Sequence, residues 1–186
     1  MYGLLRAETQ PRLARSSVVR DIPDPGFVGD DGAVDPALAV ALAAYDDRPE
    51  PLHRATLAVF QHARVLVPVV AVLGEVEYDE AGTGLAREKT SDMAAVLMQG
   101  ADGRQALLAF TCAASLRTWN PEARPVPVTV GQAAQAAVQD NADALLVDVA
   151  GPVLFVVEGE DLRAIAEGFT LTEPTPGRWE WVRSES

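Results

Sequence analysis

Cys112 is the residue of this chain best suited to covalent chemistry. It follows an apolar run that ends at Phe110 and precedes a short helical pattern, so it lies where a strand gives way to a helix. Unpaired N–H groups at a helix start favour a thiolate over a thiol. Arg117 completes the order Cys-Ala-Ala-Ser-Leu-Arg, which is one residue short of the Cys-x5-Arg loop of phosphatases and lacks the glycines of sulfurtransferase loops. Cys112 is therefore a candidate for a thiol-dependent, sulfurtransferase-like enzyme, although the incomplete loop favours a simpler interpretation as a small residue at a helix cap.

A second group of residues lies near predicted strand ends and suits binding rather than catalysis. Its members are Lys89, Ser91, Asp92, Trp119 and Arg124. A lysine and an aspartate at the mouth of a strand can hold a ligand, or they can form an internal ion pair. Likewise, Arg124 can clamp a ligand or stack on Trp119. Because residues at the ends of a sheet commonly display binding groups, we expect a ligand- or partner-binding rim here.

Other catalytic and metal-binding patterns are incomplete. The segment Gly84-x-x-x-x-Lys89-Thr90 partly matches a phosphate-binding loop. It lacks the second glycine that lets the backbone wrap around a phosphate, and a predicted strand follows it where the motif requires a helix. His53 and His62 lie on opposite faces of one predicted helix at about 100° per residue, so they cannot share a metal ion. No Gly-x-Ser-x-Gly elbow occurs. The sequence therefore predicts no metal and no cofactor.

Apolar runs rich in valine and alanine predict a buried sheet. The predicted strands are Val65–Leu73, Met93–Met98, Gln105–Phe110, Val126–Val128, Ala144–Val149, Leu154–Val157 and Arg178–Val182. Pro68 cannot donate a ladder hydrogen bond, which indicates a sheet edge or a bulge near it. Asp102-Gly103 tolerates positive φ and predicts a hairpin between the second and third strands.

Helix start signals alternate with these strands. Asp35-Pro36 supplies a capping side chain and a proline for the first turn. A second helix is expected after Pro51, a short one through Trp119, and a last one at Glu160-Asp161. Thr129 and Gln132 have the spacing of a capping box, which opens a helix that continues to about Asn141. The predicted fold class is α/β, with a mixed β-sheet and packed helices.

Charge and composition divide the chain. Residues 1–20 hold four arginines against Glu8, and residues 21–35 are dense in Pro, Gly and Asp, which favours turns. We therefore expect a basic arm and linker over residues 1–34 and a single α/β domain over residues 35–186.

Bulk properties restrict the partners and the compartment. The net charge is −12 and the sequence pI is about 4.5, which opposes attraction to nucleic acid or to anionic membranes. One cysteine cannot form an internal disulfide, and the N-terminus lacks the apolar region of a signal peptide. No apolar run approaches the roughly 20 residues of a membrane span. We expect a cytoplasmic protein.

Residues 87–152 resemble the N-terminal domain of the SseB family, the enhanced serine sensitivity proteins, in their actinobacterial form. The resemblance lies in the segments EKTSDMAAVLM, ALLAFTCAASLRTWNPEARPVPVT and ALLVDVAGPV. It implies an SseB-type α/β domain and a connection with serine sensitivity or amino-acid metabolism.

The combined expectation is a non-enzymatic binding or regulatory protein. Its partner would be a protein or a small metabolite, and self-association into a homo-oligomer is left open. Two alternatives remain, namely a thiol-dependent enzyme at Cys112 and a scaffold subunit of a protein complex.

Overall fold

The structure, a computed structural model, describes Phe27, residues 29–72 and residues 92–183. The helices of this part are α1 (Pro36–Asp47), α2 (Pro49–Phe60), α3 (Ala113–Trp119), α4 (Val130–Gln139) and α5 (Gly159–Ala166). The strands are β1 (Arg64–Val72), β2 (Asp92–Ala95), β3 (Leu97–Gln99), β4 (Gln105–Ala109), β5 (Arg124–Thr129), β6 (Ala144–Val147), β7 (Phe155–Glu158), β8 (Phe169–Thr175) and β9 (Arg178–Arg183). Parallel and antiparallel pairing occur together, which confirms the predicted α/β class with mixed sheets.

The first two helices begin where proline and a capping side chain permit. The Asp35 carboxylate accepts a hydrogen bond from the Leu38 N–H at 3.0 Å, and Pro36 occupies the first turn, as the sequence predicts. α2 begins at Pro49, so the predicted start after Pro51 is three residues late. Both prolines lie in the first turn, where N–H groups have no partner within the helix, and neither interrupts it.

β1 is the central strand of a three-stranded antiparallel sheet with the order β2-β1-β5. Pro68 is therefore not in an edge strand, and the irregularity that it predicts is found instead. The Pro68 carbonyl accepts a hydrogen bond from the Val96 N–H at 3.3 Å. At Val96 the predicted strand Met93–Met98 divides into β2, which stays on β1, and β3, which pairs with β4. Because Pro68 has no N–H to donate, β1 cannot return a hydrogen bond to the neighbouring segment at Val96, which is where that segment leaves β1.

A second sheet has the order β3-β4-β6-β7 and contains the parallel pair β4 and β6. β3 and β4 form the predicted hairpin, with Gly103 at φ 84 in its turn. The crossover from β4 to β6 runs through α3, β5 and α4. Reciprocal backbone hydrogen bonds of 2.8 and 2.9 Å between Leu66 and Phe110 connect the two sheets. This connection lies just before Cys112.

The elements around β6 largely follow the prediction. The capping box of α4 is confirmed, because the Gln132 N–H donates to Thr129 Oγ1 at 3.1 Å and the Thr129 N–H donates to Gln132 Oε1 at 2.9 Å. β6 ends at Val147, two residues before the predicted end. Asp148 has a φ of 56°, a left-handed conformation that a strand cannot continue.

The C-terminal residues form an antiparallel hairpin of β8 and β9. Its second strand was predicted, with Trp179 and Trp181 on one face, and both indoles pack against the main core. Its first strand was not predicted, because the sequence Phe169–Thr175 has no continuous apolar run. The Gln61 side chain fastens the hairpin to the end of α2, since it accepts from the Leu171 N–H at 2.7 Å and donates to the Leu171 carbonyl at 2.9 Å.

Two hydrophobic clusters cover the two faces of β4. The larger cluster contains Leu107 and packs under α1, α2, α4 and α5. The smaller cluster contains Leu108 and Phe110 and packs under α3. Because successive strand residues point to opposite faces, β4 is buried on both sides and holds its carboxyl end in a fixed position. None of the helices in the described residues is long and apolar enough to cross a bilayer.

Candidate functional site

The carboxyl end of the parallel pair β4 and β6 carries a buried carboxyl group. Asp148 directly follows β6 and is 3% exposed. The Thr111 N–H donates to Asp148 Oδ1 at 3.0 Å, and the Thr111 hydroxyl donates to Oδ2 at 2.5 Å. In α/β proteins, binding and catalytic groups are often found at the carboxyl ends of parallel strands. This position is therefore the first candidate for a functional site.

Opposing influences act on the protonation of Asp148. Burial raises the pKa of its carboxyl group, and this effect exceeds the lowering by hydrogen bonds from Thr111 and Ser115. The adjacent turn is tightly packed, because the Gly151 N–H donates to the Asp148 carbonyl at 2.8 Å. A Cβ atom at Gly151 would lie 2.7 Å from Asp148 Cβ. Only glycine fits this position without a shift of the turn.

Cys112 is the N-cap residue of α3, where the sequence predicts it. Its Sγ accepts from the Ser115 N–H at 3.5 Å and lies 3.2 Å from Ser115 Oγ. Ser115 also hydrogen-bonds the Asp148 carboxyl group, so a thiol, a hydroxyl and a carboxyl group form one contact series. Such a series could pass a proton from the thiol to the carboxylate, which is the acid-base step that a thiol enzyme needs.

Arg64 ties the residues before α1 to this end of the sheet. Its Nη1 donates to the Thr111 carbonyl at 2.9 Å. Its Nη2 donates to the Asp30 carboxylate at 2.8 Å and to the Ala33 carbonyl at 2.6 Å. The Arg64 side chain is only 14% exposed. The guanidinium therefore acts as a partly buried clamp between two segments of the chain.

The start of α3 is closed by the same segment. The Ala113 N–H donates to the Gly32 carbonyl at 2.8 Å, and the Ser115 N–H donates to Cys112 Sγ. Gly32 has φ 73, and a Cβ atom there would lie 2.9 Å from Ala113 Cβ. Polar groups that would suit an anion at this helix start are thus bonded within the chain.

Trp119 and Arg124 were both predicted to contribute to a binding rim. Trp119 is partly buried and packs on Phe110, with ring centroids 5.6 Å apart and an interplanar angle of 35°. Arg124 is exposed at the start of β5. Trp119 thus contributes to the smaller cluster, and Arg124 faces solvent.

The structure describes little of the other predicted rim residues. Lys89 and Ser91 lie outside the described residues, and only the backbone of Asp92 is described, at the start of β2. Asp92 and Arg124 pair with opposite edges of β1, three residues apart along it. Their Cα atoms are therefore about 14 Å apart at one end of β1, from typical strand spacing and rise. A shared rim stays a prediction.

The two histidines have different surroundings. His53 stacks on Phe155, with ring centroids 5.1 Å apart, and its Nε2 lies 3.5 Å from Asp161 Oδ2. Arg54 Nη1 lies 3.1 Å from the other oxygen of Asp161. His62 is exposed just beyond the end of α2. In the part of the chain that the structure describes, no group of three or more His, Cys, Asp or Glu residues could hold a metal ion.

A cavity of about 860 Å³, here called the hairpin cavity, lies where the end of α2, the start of α4 and the β8–β9 hairpin meet. It is lined by Gln61, His62, Thr129, Gly131, Ile165, Glu167, Gly168, Phe169, Thr170 and Arg183. The volume falls within the roughly 300–1,000 Å³ that is typical of small-molecule sites. The Arg183 guanidinium lies 4.8 Å from the centroid of the Phe169 ring, a cation–π distance.

A second cavity of about 830 Å³ shares His62 with the hairpin cavity. Its other charged lining groups have partners within the chain. Asp31 accepts from the Ala33 N–H, Asp35 caps α1, and Arg64 is the clamp described above. This cavity therefore offers fewer charged groups to a ligand than the hairpin cavity does.

Sequence reasoning did not find Asp148, Thr111 and Ser115 as a connected group. One local signal could have indicated Asp148, because it interrupts the apolar run ALLVDVAGP shortly before a Gly-Pro turn. The contact with Thr111 joins residues that are 37 positions apart. It depends on the parallel register of β4 and β6 and has no short-range pattern.

The described residues thus define an α/β domain with a mixed sheet, a closed polar cluster at one sheet end and an open cavity beside a C-terminal hairpin. Residues 38–164 match the family model of the SseB protein N-terminal domain. Since the match covers more than half of the chain, the protein belongs to the SseB family. No curated protein and no solved structure matches the chain.

Proposed function

We propose that this chain is a non-enzymatic binding protein that takes a small molecule into the hairpin cavity. One observation carries the proposal. The groups with catalytic potential are hydrogen-bonded to each other at the closed sheet end, whereas the hairpin cavity is open and lined by charged and polar side chains. A protein that binds without catalysis needs the second feature and not the first.

The thiol-enzyme alternative has one observation in its favour, the contact series from Cys112 through Ser115 to Asp148. Against it, Cys112 accepts the Ser115 N–H, and residues before α1 cover the start of α3. The Cys112 side chain is itself only partly exposed, which limits the access of a substrate to the thiol. The geometry therefore supports binding better than thiol catalysis.

A partner-binding role for the predicted rim is part of the same proposal. Lys89, Ser91, Asp92 and Arg124 would form a surface for a protein partner at one end of β1, separate from the hairpin cavity. The scaffold alternative would use this surface alone. We further propose a cytoplasmic location, on the basis of the acidic composition and the single cysteine.

The test is recovery of ligand from the native host. The purified chain is incubated with a small-molecule extract and re-isolated, and bound compounds are identified by mass spectrometry. Gly131→Leu is designed to fill the cavity, because a Cβ atom at that position meets only Thr129 Oγ1, at 3.8 Å. Ala43→Leu on the exposed face of α1 is the matched control.

We expect the chain and the Ala43→Leu control to return the same unchanged compound and the Gly131→Leu variant to return less of it. Consumption of an extract compound that stops on Cys112→Ser would instead establish the thiol enzyme. Recovery of no small molecule from the extract, together with retention of proteins in a parallel pull-down from whole-cell lysate, would favour the scaffold.

A further inference from the structure

The hairpin cavity joins two different parts of the chain. The end of α2 and the start of α4 belong to residues 38–164, which match the family model. Ile165, Glu167, Phe169 and Arg183 follow that segment in the sequence. The cavity therefore depends on a hairpin that lies outside the matched segment, and its ligand must be deduced from its own lining residues.

Half of the eight arginines other than Arg183 in the part of the chain that the structure describes have a carboxylate partner within salt-bridge distance. The four pairs are Arg54–Asp161, Arg64–Asp30, Arg104–Glu158 and Arg178–Glu180. Arg183 has no such partner among the described residues, and its guanidinium lies over the Phe169 ring instead. In a protein of net charge −12, a cation that lines a cavity without a carboxylate partner is a specific feature.

The other residues that line the cavity restrict the chemical class of the ligand. Phe169 and Ile165 supply apolar surface, whereas His62 and Glu167 supply the other titratable side chains. The start of α4 also faces the cavity at Gly131, and the dipole of this ten-residue helix adds a modest attraction for negative charge.

We propose that the hairpin cavity binds a small monocarboxylate, whose carboxylate pairs with Arg183 and whose short apolar part contacts Phe169 and Ile165. This inference rests on the proposed function, because it names the ligand class of the same cavity. A guanidinium presents a planar fork of donors that matches both oxygens of a carboxylate. The ring beneath Arg183 limits its motion, so less side-chain entropy is lost on binding.

Glu167 decides between a carboxylate and a phosphate. Its negative charge lines the same cavity, so a ligand with two negative charges meets more repulsion than a ligand with one. A monocarboxylate satisfies Arg183 without a second charge near Glu167. We therefore expect inorganic phosphate to bind more weakly than a short fatty carboxylate of similar size.

The test is a titration of the full-length protein, followed by the backbone amide signals of Gly131, Gly168 and Phe169 in ¹⁵N NMR spectra at constant ionic strength. The probes are butyrate, n-butylammonium and inorganic phosphate. The variants are Arg183→Gln and a matched control, Arg178→Gln, on the same strand but outside the cavity lining.

Butyrate should give saturable shifts at these amides, n-butylammonium should give none, and phosphate should bind less tightly. Arg183→Gln should weaken butyrate binding about tenfold or more, the size expected for a charge-assisted hydrogen bond, and Arg178→Gln should leave it unchanged. Equal weakening by both variants, or no saturable response to butyrate, would overturn the proposal. If the extract yields an unchanged ligand while butyrate fails, the binding function stands and the carboxylate assignment falls.

Discussion

The closed sheet end and the hairpin cavity use polar residues in opposite ways. At the sheet end, both oxygens of Asp148 accept from Thr111, and Arg64 donates to three acceptors within the chain. In the hairpin cavity, Arg183 lies against an aromatic ring and faces open space. Its position in the fold favours the sheet end as a site, but the polar groups there already have hydrogen-bond partners within the chain. The proposed assignment of the binding region therefore rests on whether the polar groups are already hydrogen-bonded within the chain, and not on their place at a strand end.

The largest expected effect is at Asp148. Asp148→Ala removes the acceptor of the buried N–H and hydroxyl of Thr111, and it places alanine at φ 56, which is strained. The free energy of unfolding should therefore fall by about 3 kcal/mol. Asp148→Asn keeps an acceptor and tolerates the left-handed backbone, so its cost should be smaller. Urea unfolding curves of the two variants measure this. Equal losses would mean that the hydrogen bonds to Thr111 do not hold the sheet end together.

The next effect concerns the Arg64 clamp. Arg64→Met keeps most of the stem but removes the donors to Thr111, Asp30 and Ala33, so stability should fall by about 2 kcal/mol. Arg117→Met, at an exposed position of α3, should change stability by less than about 0.5 kcal/mol. Thermal or urea unfolding compares the two. A loss at Arg64 no larger than that at Arg117 would show that the segment before α1 is not fastened by this side chain.

Much of the fold could be predicted because its signals are local. The capping box at Thr129, the cap at Asp35 and the turn at Gly103 each depend on a few adjacent residues. β8 was missed because its pairing with β9 and its contacts with Gln61 stabilise a segment of low apolar content. The division of one predicted strand at Val96 results from competition between two neighbouring strands, which no local pattern shows.

The candidate site was harder to predict than the fold. Cys112 was placed correctly at a helix cap, because a strand-to-helix change is visible in the sequence. The hairpin cavity was not predicted, since its lining brings His62, Gly131 and Arg183 together from distant positions. The predicted rim at Lys89 and Arg124 remains a prediction.

The protonation of Asp148 gives a pH-dependent effect of known sign. Burial raises the folded pKa of this carboxyl group above its ordinary value of 3.8, so the folded state binds the proton more tightly than the unfolded state does. Its contribution to stability is complete below pH 3.8 and is lost as the pH rises through the folded pKa. The stability of the wild type relative to Asp148→Asn should therefore fall as the pH rises toward neutrality. Urea unfolding of both proteins across this pH range tests the sign, and a difference that grows with pH would contradict it.

The smallest expected effect is at Cys112. Cys112→Ser replaces a weak sulfur acceptor with a better capping oxygen, so stability should stay within about 1 kcal/mol of the wild type. Urea unfolding measures the change, and sulfur-transfer and phosphoryl-transfer assays accompany it. A measurable transfer activity that disappears on this substitution would contradict a non-catalytic role.

The most direct test of the account is to locate the amide signals that respond when the host small-molecule extract is added to ¹⁵N-labelled protein. We predict saturable shifts at the hairpin cavity, at Gly131, Gly168 and Phe169, with Thr111, Cys112 and Ser115 unchanged. Shifts confined to Thr111, Cys112 and Ser115, with the hairpin cavity unaffected, would contradict it and would place the functional site at the closed end of the sheet.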